Sequence, residues 1–188
     1  MIDIPEHLIT AAGRGDATAF EAIYKASSGF VYSVALRIIG NTTEAEEVTQ
    51  EVFVKVYGSL QGFGFRSSFK TWLYKVTMNS ALNAYNKRAR ELGRRADYDE
   101  AGSTAAVEPI ADSDIDAQET EKRVQQLLDT LTPEHRAVIV LRELEGLSYE
   151  EMAAALQINI NTVRTRLKRA REALMARGKK EVIGHEMR

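Results

Sequence analysis

Basic side chains dominate the segment between Asn161 and Lys180. It holds eight bases and a single acid, Glu172. The bases are Arg164, Arg166, Lys168, Arg169, Arg171, Arg177, Lys179 and Lys180. Guanidinium groups can pair bidentately with guanine edges, and ammonium groups suit phosphate oxygens. The chemistry that this pattern predicts is recognition of nucleic acid.

The apolar residues of the same segment follow a helical period. On a helix that starts near Thr162, Val163, Leu167, Ala170 and Leu174 form one stripe, which should be buried. The opposite face and its two shoulders carry the candidate DNA-binding residues: Arg164, Thr165, Arg166, Lys168, Arg169 and Arg171. A solvated surface helix is the alternative, but such a helix usually mixes both signs of charge.

A short helix and a tight turn precede this basic helix. Ser148 and Glu151 have capping-box spacing, which marks where the short helix begins. The two helices together predict a helix-turn-helix with its second helix in the major groove of DNA.

A second surface is predicted on the helix from Glu44 to Tyr57. Ala45, Val48, Val52 and Val56 share its buried face. Polar and apolar residues share the other side, namely Glu46, Glu47, Gln50, Glu51, Phe53, Val54 and Tyr57. An outward apolar pair, Phe53 and Val54, is either covered by other helices of the domain or meets a partner protein. The pattern leaves both readings open.

The next segment is rich in aromatic residues with bases between them. The aromatic residues are Phe63, Phe65, Phe69, Trp72, Tyr74 and Tyr85, and the bases are Arg66, Lys70, Lys75, Lys87 and Arg88. Such a combination is typical of a platform for single-stranded nucleic acid, on which stacking is worth ~1–3 kcal/mol per base. Asn79 and Asn83, one turn apart, could bond bases or phosphates, or be ordinary surface amides.

Apolar residues recur at helical spacing almost everywhere, and the chain has only three prolines. We therefore predict an all-α fold of two small helical domains joined by an acidic linker. Charge marks the division, with 12 bases and 9 acids in residues 1–95 and 8 acids without a base in residues 96–120. The predicted domains are 1–95 and 118–178, with the linker at 96–117 and a tail at 179–188.

Several function classes are disfavoured. The chain has no cysteine, and its histidines, His7, His135 and His185, are far apart. We therefore expect no metal site. No cofactor and no small-molecule substrate are expected either. No nucleophile–base pair or carboxylate cluster stands out, so an enzyme is not expected. Neither a signal-like start nor ~20 consecutive apolar residues occur, which favours a cytoplasmic protein without membrane insertion.

Three strings of residues resemble one known family. TEAEEVTQEVFVKVY (43–57) resembles the core-polymerase-binding helix of bacterial sigma factors, and FRSSFKTWLYKVTMNSALNAYNKR (65–88) resembles their promoter-melting segment. LTPEHRAVIVLRELEGLSYEEMAAALQININTVRTRLKRAREAL (131–174) resembles their fourth conserved region. With two modules and a short linker, the chain is similar to the extracytoplasmic-function (ECF) class. The usual Asp-Leu pair is Glu47-Val48 here, and the loop GFGFRSSF lacks the acid often found before its serines.

The resemblance implies a role for each surface. Glu47, Gln50, Glu51, Phe53 and Val54 would dock on the clamp coiled coil of the largest subunit of core RNA polymerase. The separated strand of the minus-10 element, with one base flipped out, would be held by Arg66, Ser68, Phe69, Lys70, Lys75, Asn79 and Asn83. The basic helix would read the duplex minus-35 element, the acidic linker would follow the RNA path of the polymerase, and an anti-sigma factor would cover both modules.

The function implied is that of an alternative sigma factor, which directs core polymerase to promoters and helps to open the DNA. The alternative is a stand-alone helix-turn-helix regulator that binds an operator. Such a regulator should need a receiver or dimerisation domain, and the first module offers helices and aromatic residues instead.

Overall fold

The computed structural model describes residues 4–96 and 115–186, and side chains at 4–92 and 119–177. Its helices are α1 (Glu6–Gly13), α2 (Ala17–Ile39), α3 (Thr42–Ser59), α4 (Phe69–Ala96), α5 (Ile115–Asp129), α6 (Pro133–Ile139), α7 (Tyr149–Leu156) and α8 (Ile160–Glu186). A 3-10 turn (Leu60–Gly62) follows α3, and a π turn (Val140–Leu144) follows α6. No strand occurs among the described residues, so the all-α prediction is confirmed.

The first module packs α2, α3 and α4 together, with α1 against α2. Side-chain caps fix where two of these helices begin. The Asp16 carboxylate accepts from Thr18 N at 2.9 Å and Ala19 N at 3.0 Å, and the Asn41 side chain accepts from Glu44 N at 2.9 Å. These caps bond backbone N–H groups that have no partner inside the helix.

The second module contains the predicted helix-turn-helix. Ser148 N donates to Glu151 Oε2 at 2.8 Å and Glu151 N donates to Ser148 Oγ at 3.1 Å, which completes the capping box of α7. Gln157 ends α7 with φ +55°, in the left-handed region, and α8 begins three residues later. The predicted apolar stripe of α8 is buried at Val163, Leu167 and Ala170.

The two modules pack against each other and share one hydrophobic core. α4 lies against α7, and the end of α2 approaches α5. Gly40 ends α2 with φ +75°, and a Cβ added there would lie 3.1 Å from Asp129 Oδ1. Glycine suits this position on both counts.

The predicted linker, 96–117, lies largely outside the described residues, and α5 already begins at Ile115. At the other end, α8 continues through the predicted tail as far as Glu186. None of the described helices has the length and apolar character needed to cross a lipid bilayer.

Candidate nucleic-acid interfaces and docking surface

The outer face of α8 is the first candidate site. Arg164, Thr165, Lys168, Arg169 and Arg171 are exposed, and Arg166 is half-buried. The Thr165 hydroxyl donates to Asn161 O at 2.8 Å, so its lone pairs and methyl group remain for a ligand. The structure therefore brings all six predicted residues to one side of a buried stripe. Their contact with DNA stays a prediction.

Side chains outside α8 orient two of its arginines. The Tyr149 ring lies 5.9 Å from the Arg164 guanidinium and 5.3 Å from that of Arg142. Glu143 Oε1 accepts from Arg171 Nε at 2.9 Å and from Nη2 at 2.6 Å. This hydrogen bond raises the pKa of Arg171, which therefore stays charged. Tyr149 and Glu143 were missed by the sequence reasoning, because no spacing within α8 points to residues of another segment.

An aromatic cluster precedes α4. The Phe63 ring lies 4.9 Å from Phe65, 5.9 Å from Phe69 and 5.1 Å from Trp72. Phe69, one of the residues predicted to hold the minus-10 strand, is only 6% exposed and faces the core, and its part in holding the strand stays a prediction. Phe69 is buried because the rings of Phe63 and Trp72 pack over it.

Phe65 is the ring of this cluster that faces solvent. It is 45% exposed, and its backbone has φ +51°, in a region that costs a non-glycine residue about 1–2 kcal/mol. Phe65 belongs to the aromatic residues of the segment but is not among the predicted site residues. No sequence signal gives its left-handed backbone.

The polar candidates of the same segment divide into two groups. Ser68 begins α4 as its cap, since its Oγ accepts from Thr71 N at 3.1 Å, and Lys70 lies 5.7 Å from the Tyr74 ring. Arg66, Lys75 and Asn83 are exposed or half-buried without such a local role, whereas Asn79 Nδ2 donates to Gln157 Oε1 at 3.2 Å. Lys75, Asn79 and Asn83 follow each other at intervals of four residues, so they share one face of α4.

The outer face of α3 is the candidate docking surface. Glu47, Gln50 and Glu51 are exposed, and Val54 is 72% exposed among them. Glu51 pairs with Lys55, one turn away. For Val54, the second of the two readings left open by the sequence holds, in that no described helix covers this apolar side chain among the carboxylates.

For Phe53, the structure agrees with the first of the two readings left open by the sequence, in which another helix of the same domain covers the side chain. Phe53 is 4% exposed, and its ring lies 6.5 Å from Phe20 and 4.7 Å from Tyr24, edge to face in both cases. α2 packs along this shoulder of α3 and covers the ring. The partly exposed aromatic residues beside Val54 are Tyr57 and Tyr24, at 55% and 42%.

Two sequence-family models match this chain. The one described as "Sigma-70 region 2" matches residues 23–91, which hold α3 and the aromatic cluster. The one described as "Sigma-70, region 4" matches residues 121–174, which hold the helix-turn-helix. Both candidate DNA surfaces and the docking surface therefore lie within the matched ranges.

Whole-chain similarities agree with the family matches. "RNA polymerase sigma-H factor" of Pseudomonas aeruginosa is 34% identical over 178 residues, covering 90% of this chain and 91% of that protein. "ECF RNA polymerase sigma-E factor" of Escherichia coli is 34% identical over 173 residues, covering 89% and 90%. "ECF RNA polymerase sigma factor SigW" of Bacillus subtilis is 31% identical over 167 residues, covering 86% and 89%.

Two solved structures have a similar fold. CnrH, solved in complex with the cytosolic domain of CnrY, is 27% identical with a TM-score of 0.68, covering 95% of this chain and 99% of that chain. The sigma factor RpoE of Bartonella quintana, solved with the anti-sigma factor NepR, is 25% identical with a TM-score of 0.65, covering 84% and 94%. The similarities do not favour a stand-alone regulator. The chain belongs to the ECF family of RNA polymerase sigma factors, and its function is that of an alternative sigma factor.

Proposed function

We propose that the two modules divide the work of promoter recognition, with residues 1–95 acting as region 2 and residues 118–178 as region 4. The observation that carries this proposal is the outer face of α8. Its bases are exposed on one side, while Val163, Leu167 and Ala170 are buried on the other. A helix held in this way can enter the major groove without losing its packing.

In this account, α8 reads the duplex minus-35 element. Thr165, Arg166, Lys168 and Arg169 contact bases and phosphates. Arg164, which lies over the Tyr149 ring, contacts the backbone, and Arg171 can do so once its ion pair with Glu143 opens. Backbone contacts fix the register, and base contacts supply about 1–3 kcal/mol of discrimination each.

The aromatic cluster before α4 holds the separated strand of the minus-10 element. Phe65 offers the stacking surface, and Phe63, Phe69 and Trp72 support it from below. Arg66, Lys75, Asn79 and Asn83 bind phosphates and base edges, and Ser68 and Lys70 support the start of α4. An exposed ring beside bases is what strand binding requires.

The outer face of α3 docks on the clamp coiled coil of the largest polymerase subunit. Val54 is the apolar contact, with Tyr57 beside it, while Glu47, Gln50 and Glu51 supply charge and hydrogen bonds. Phe53 supports this surface from inside. The chain makes and breaks no covalent bond, because the polymerase carries the chemistry.

An anti-sigma factor is a further partner in this proposal. The solved relative RpoE of Bartonella quintana is bound to one. The chain works in the cytoplasm, on the nucleoid, where polymerase and promoters are found.

Photocrosslinking from single positions tests the assignment of surfaces. A benzophenone amino acid at Val54 should crosslink to the largest polymerase subunit, and one at Phe65 to the non-template strand of an open promoter. One at Gln126, exposed on α5, is the control for labelling without a defined contact. Crosslinks from Val54 that match those from Gln126 would contradict the docking assignment.

A further inference from the structure

Two open grooves lie along α8, and they differ in charge. The first groove contains two bases and, among the described residues, no acid; it is lined by Asn161, Thr162, Thr165, Arg166 and Arg169. The second groove contains Glu172, whose Oε1 lies 3.9 Å from Lys168 Nζ, and Arg171, which pairs with Glu143. Carboxylates repel phosphates and neutralise the cations beside them, so the first groove is the better site for DNA.

Asn161 is a residue of the first groove that has no role so far. It is exposed, and it lies one turn before Thr165, a candidate DNA-binding residue. Both residues lie on the side of α8 away from the buried Val163 and Leu167. α8 begins at Ile160, so Asn161 is its second residue. Because the N-terminal residues of a recognition helix contact base edges, Asn161 is placed to contact a base.

The side chain of Asn161 is not needed to begin the helix. Asn159 has that role, since its Oδ1 accepts from Asn161 N at 2.8 Å and its carbonyl oxygen accepts from Val163 N at 3.1 Å. Asn161 takes part in this cap only through its backbone N–H. Its side-chain Nδ2 has no hydrogen-bond partner among the residues whose side chains the structure describes. The amide nitrogen therefore remains available to a ligand.

Arg164 fixes the orientation of the Asn161 amide. Its Nη1–H donates to Asn161 Oδ1 at 3.2 Å, and a guanidinium can only donate, so the bonded atom must be the oxygen. The guanidinium itself lies 5.9 Å from the Tyr149 ring, which limits its movement. Oδ1 keeps a second lone pair, and Nδ2 keeps both of its N–H groups. The amide therefore presents an acceptor beside a donor.

An acceptor beside a donor is complementary to adenine. In the major groove adenine presents the N6–H donor next to the N7 acceptor, whereas guanine presents two acceptors, which arginine matches better. Asn161 Oδ1 can accept from N6–H while Nδ2 donates to N7. Thymine and cytosine each offer only one of these two bonds.

We propose that Asn161 is a specificity-determining residue of this chain, which selects an adenine in the minus-35 element by a two-point hydrogen bond, and that Arg164 is its positioning residue. This inference rests on the proposed function, in which α8 enters the major groove at that element. Arg164 then has two tasks, because it contacts the DNA backbone and holds the amide that reads the base. Asn161 is not among the six residues predicted from the sequence, since an uncharged side chain adds nothing to a basic pattern.

Selection from a promoter library tests this assignment. The probe is a promoter that this chain transcribes, with its minus-35 element randomised, and it is bound by holoenzyme assembled from core polymerase and the full chain. Wild-type holoenzyme should enrich adenine at one position at least fivefold, which is the lower end of what one base contact supplies. Asn161→Ala should lose the enrichment at that position and keep it at the others.

A modified base identifies the atom that is read. 7-Deazaadenine still pairs with thymine, but a C–H group replaces its N7. At the selected position it should weaken binding by wild-type holoenzyme at least twofold, because one hydrogen bond is lost. Binding by Asn161→Ala should not change, since this variant has no amide to donate to N7. Equal losses for both proteins would overturn the proposed bond.

Two further variants make the result specific. Gln126→Ala removes an exposed amide of α5 and should select the wild-type sequence. Arg164→Ala should weaken binding to every promoter and also lower the adenine enrichment; an unchanged enrichment would overturn its positioning role. Thermal unfolding checks that Asn161→Ala is as stable as wild type.

The outcome for Asn161 is distinct from that for the proposed function. Selection of the wild-type sequence by Asn161→Ala would overturn the role of Asn161 while α8 still reads the element. If the wild-type holoenzyme enriched no minus-35 sequence at all, the proposed reading of DNA by α8 would fail, and the role of Asn161 with it.

Discussion

Glu143 and Arg171 form a two-point ion pair between the π turn and the basic helix, with Oε1 at 2.9 Å from Nε and 2.6 Å from Nη2. Both side chains are nearly half exposed, so the pair contributes little to stability. We expect its effect to be on DNA binding, because the carboxylate holds one guanidinium of the helix that is proposed to face DNA and cancels its charge.

Glu143→Gln should therefore free Arg171 for phosphate contact. We expect tighter binding to DNA of any sequence, with a salt slope steeper by about 0.9 for one added phosphate contact. Fluorescence anisotropy on unrelated duplexes at several salt concentrations measures both quantities. Glu150→Gln changes the net charge equally without touching Arg171, and an identical effect of that variant would mean that the ion pair has no part in DNA binding.

Arg169→Ala should weaken promoter binding by the holoenzyme about five- to 150-fold, because one base contact is worth about 1–3 kcal/mol. Association with core polymerase should be unchanged, since α3 lies in the other module. Gel-shift titration on a promoter, beside co-purification with core polymerase, separates the two effects. Arg123→Ala, which removes an exposed base of α5, is the control; loss of both functions in Arg169→Ala would contradict separate surfaces.

Phe65→Gly should impair promoter opening without destabilising the fold. Loss of one stacked base costs ~1–3 kcal/mol, and glycine adopts φ +51° more easily than phenylalanine. Permanganate reactivity of promoter thymines measures the opening, and thermal unfolding measures stability. Phe65→Tyr keeps the ring and should keep the opening. Normal opening by Phe65→Gly would remove Phe65 from the strand-binding surface.

Val54→Asp combined with Gln50→Ala should reduce co-purification with core polymerase at least tenfold. Both side chains are exposed, so the fold should be unaffected. Leu92→Asp makes the same kind of change at a side chain of α4 that is 52% exposed, and it should still co-purify. If the double variant associated normally, α3 would not be the docking helix.

Tyr74→Phe should change how stability depends on pH. Burial raises the pKa of Tyr74 above 10.0, so the folded state holds its proton at pH values where the unfolded chain has released it. The stabilisation from Tyr74 is complete below pH 10 and is lost as pH rises further. Urea unfolding at a series of pH values should show the advantage of wild type over Tyr74→Phe shrinking above pH 10, with Tyr57→Phe, at an exposed ring, as control. A constant advantage would mean that the hydroxyl is not held neutral by the fold.

Much of this architecture is predictable from local patterns. The stripe of Val163, Leu167 and Ala170 and the capping box of Ser148 and Glu151 depend only on helical periodicity and short-range hydrogen bonds. The exposed basic face of α8 follows from the same helical periodicity. Its six candidate site residues lie where a regular helix places them relative to the buried stripe.

Features that depend on a neighbouring helix are either left open by the sequence or not predicted from it. Phe53 is on the predicted shoulder of α3, but α2 covers it. Phe69 is buried beneath the rings of Phe63 and Trp72. The left-handed backbone of Phe65 turns its ring outward. The bonds from Glu145 to Arg37 and Tyr74 span 108 and 71 positions, and no local pattern encodes such a pairing.

Run-off transcription with purified core polymerase tests the central claim most directly. We predict that core polymerase alone yields no defined transcript from a linear template carrying a cognate promoter. Addition of this chain should give one transcript of fixed length, which mutation of either the minus-10 or the minus-35 element abolishes. Tight binding of the chain to the promoter, with no transcript started by the polymerase, would contradict the account.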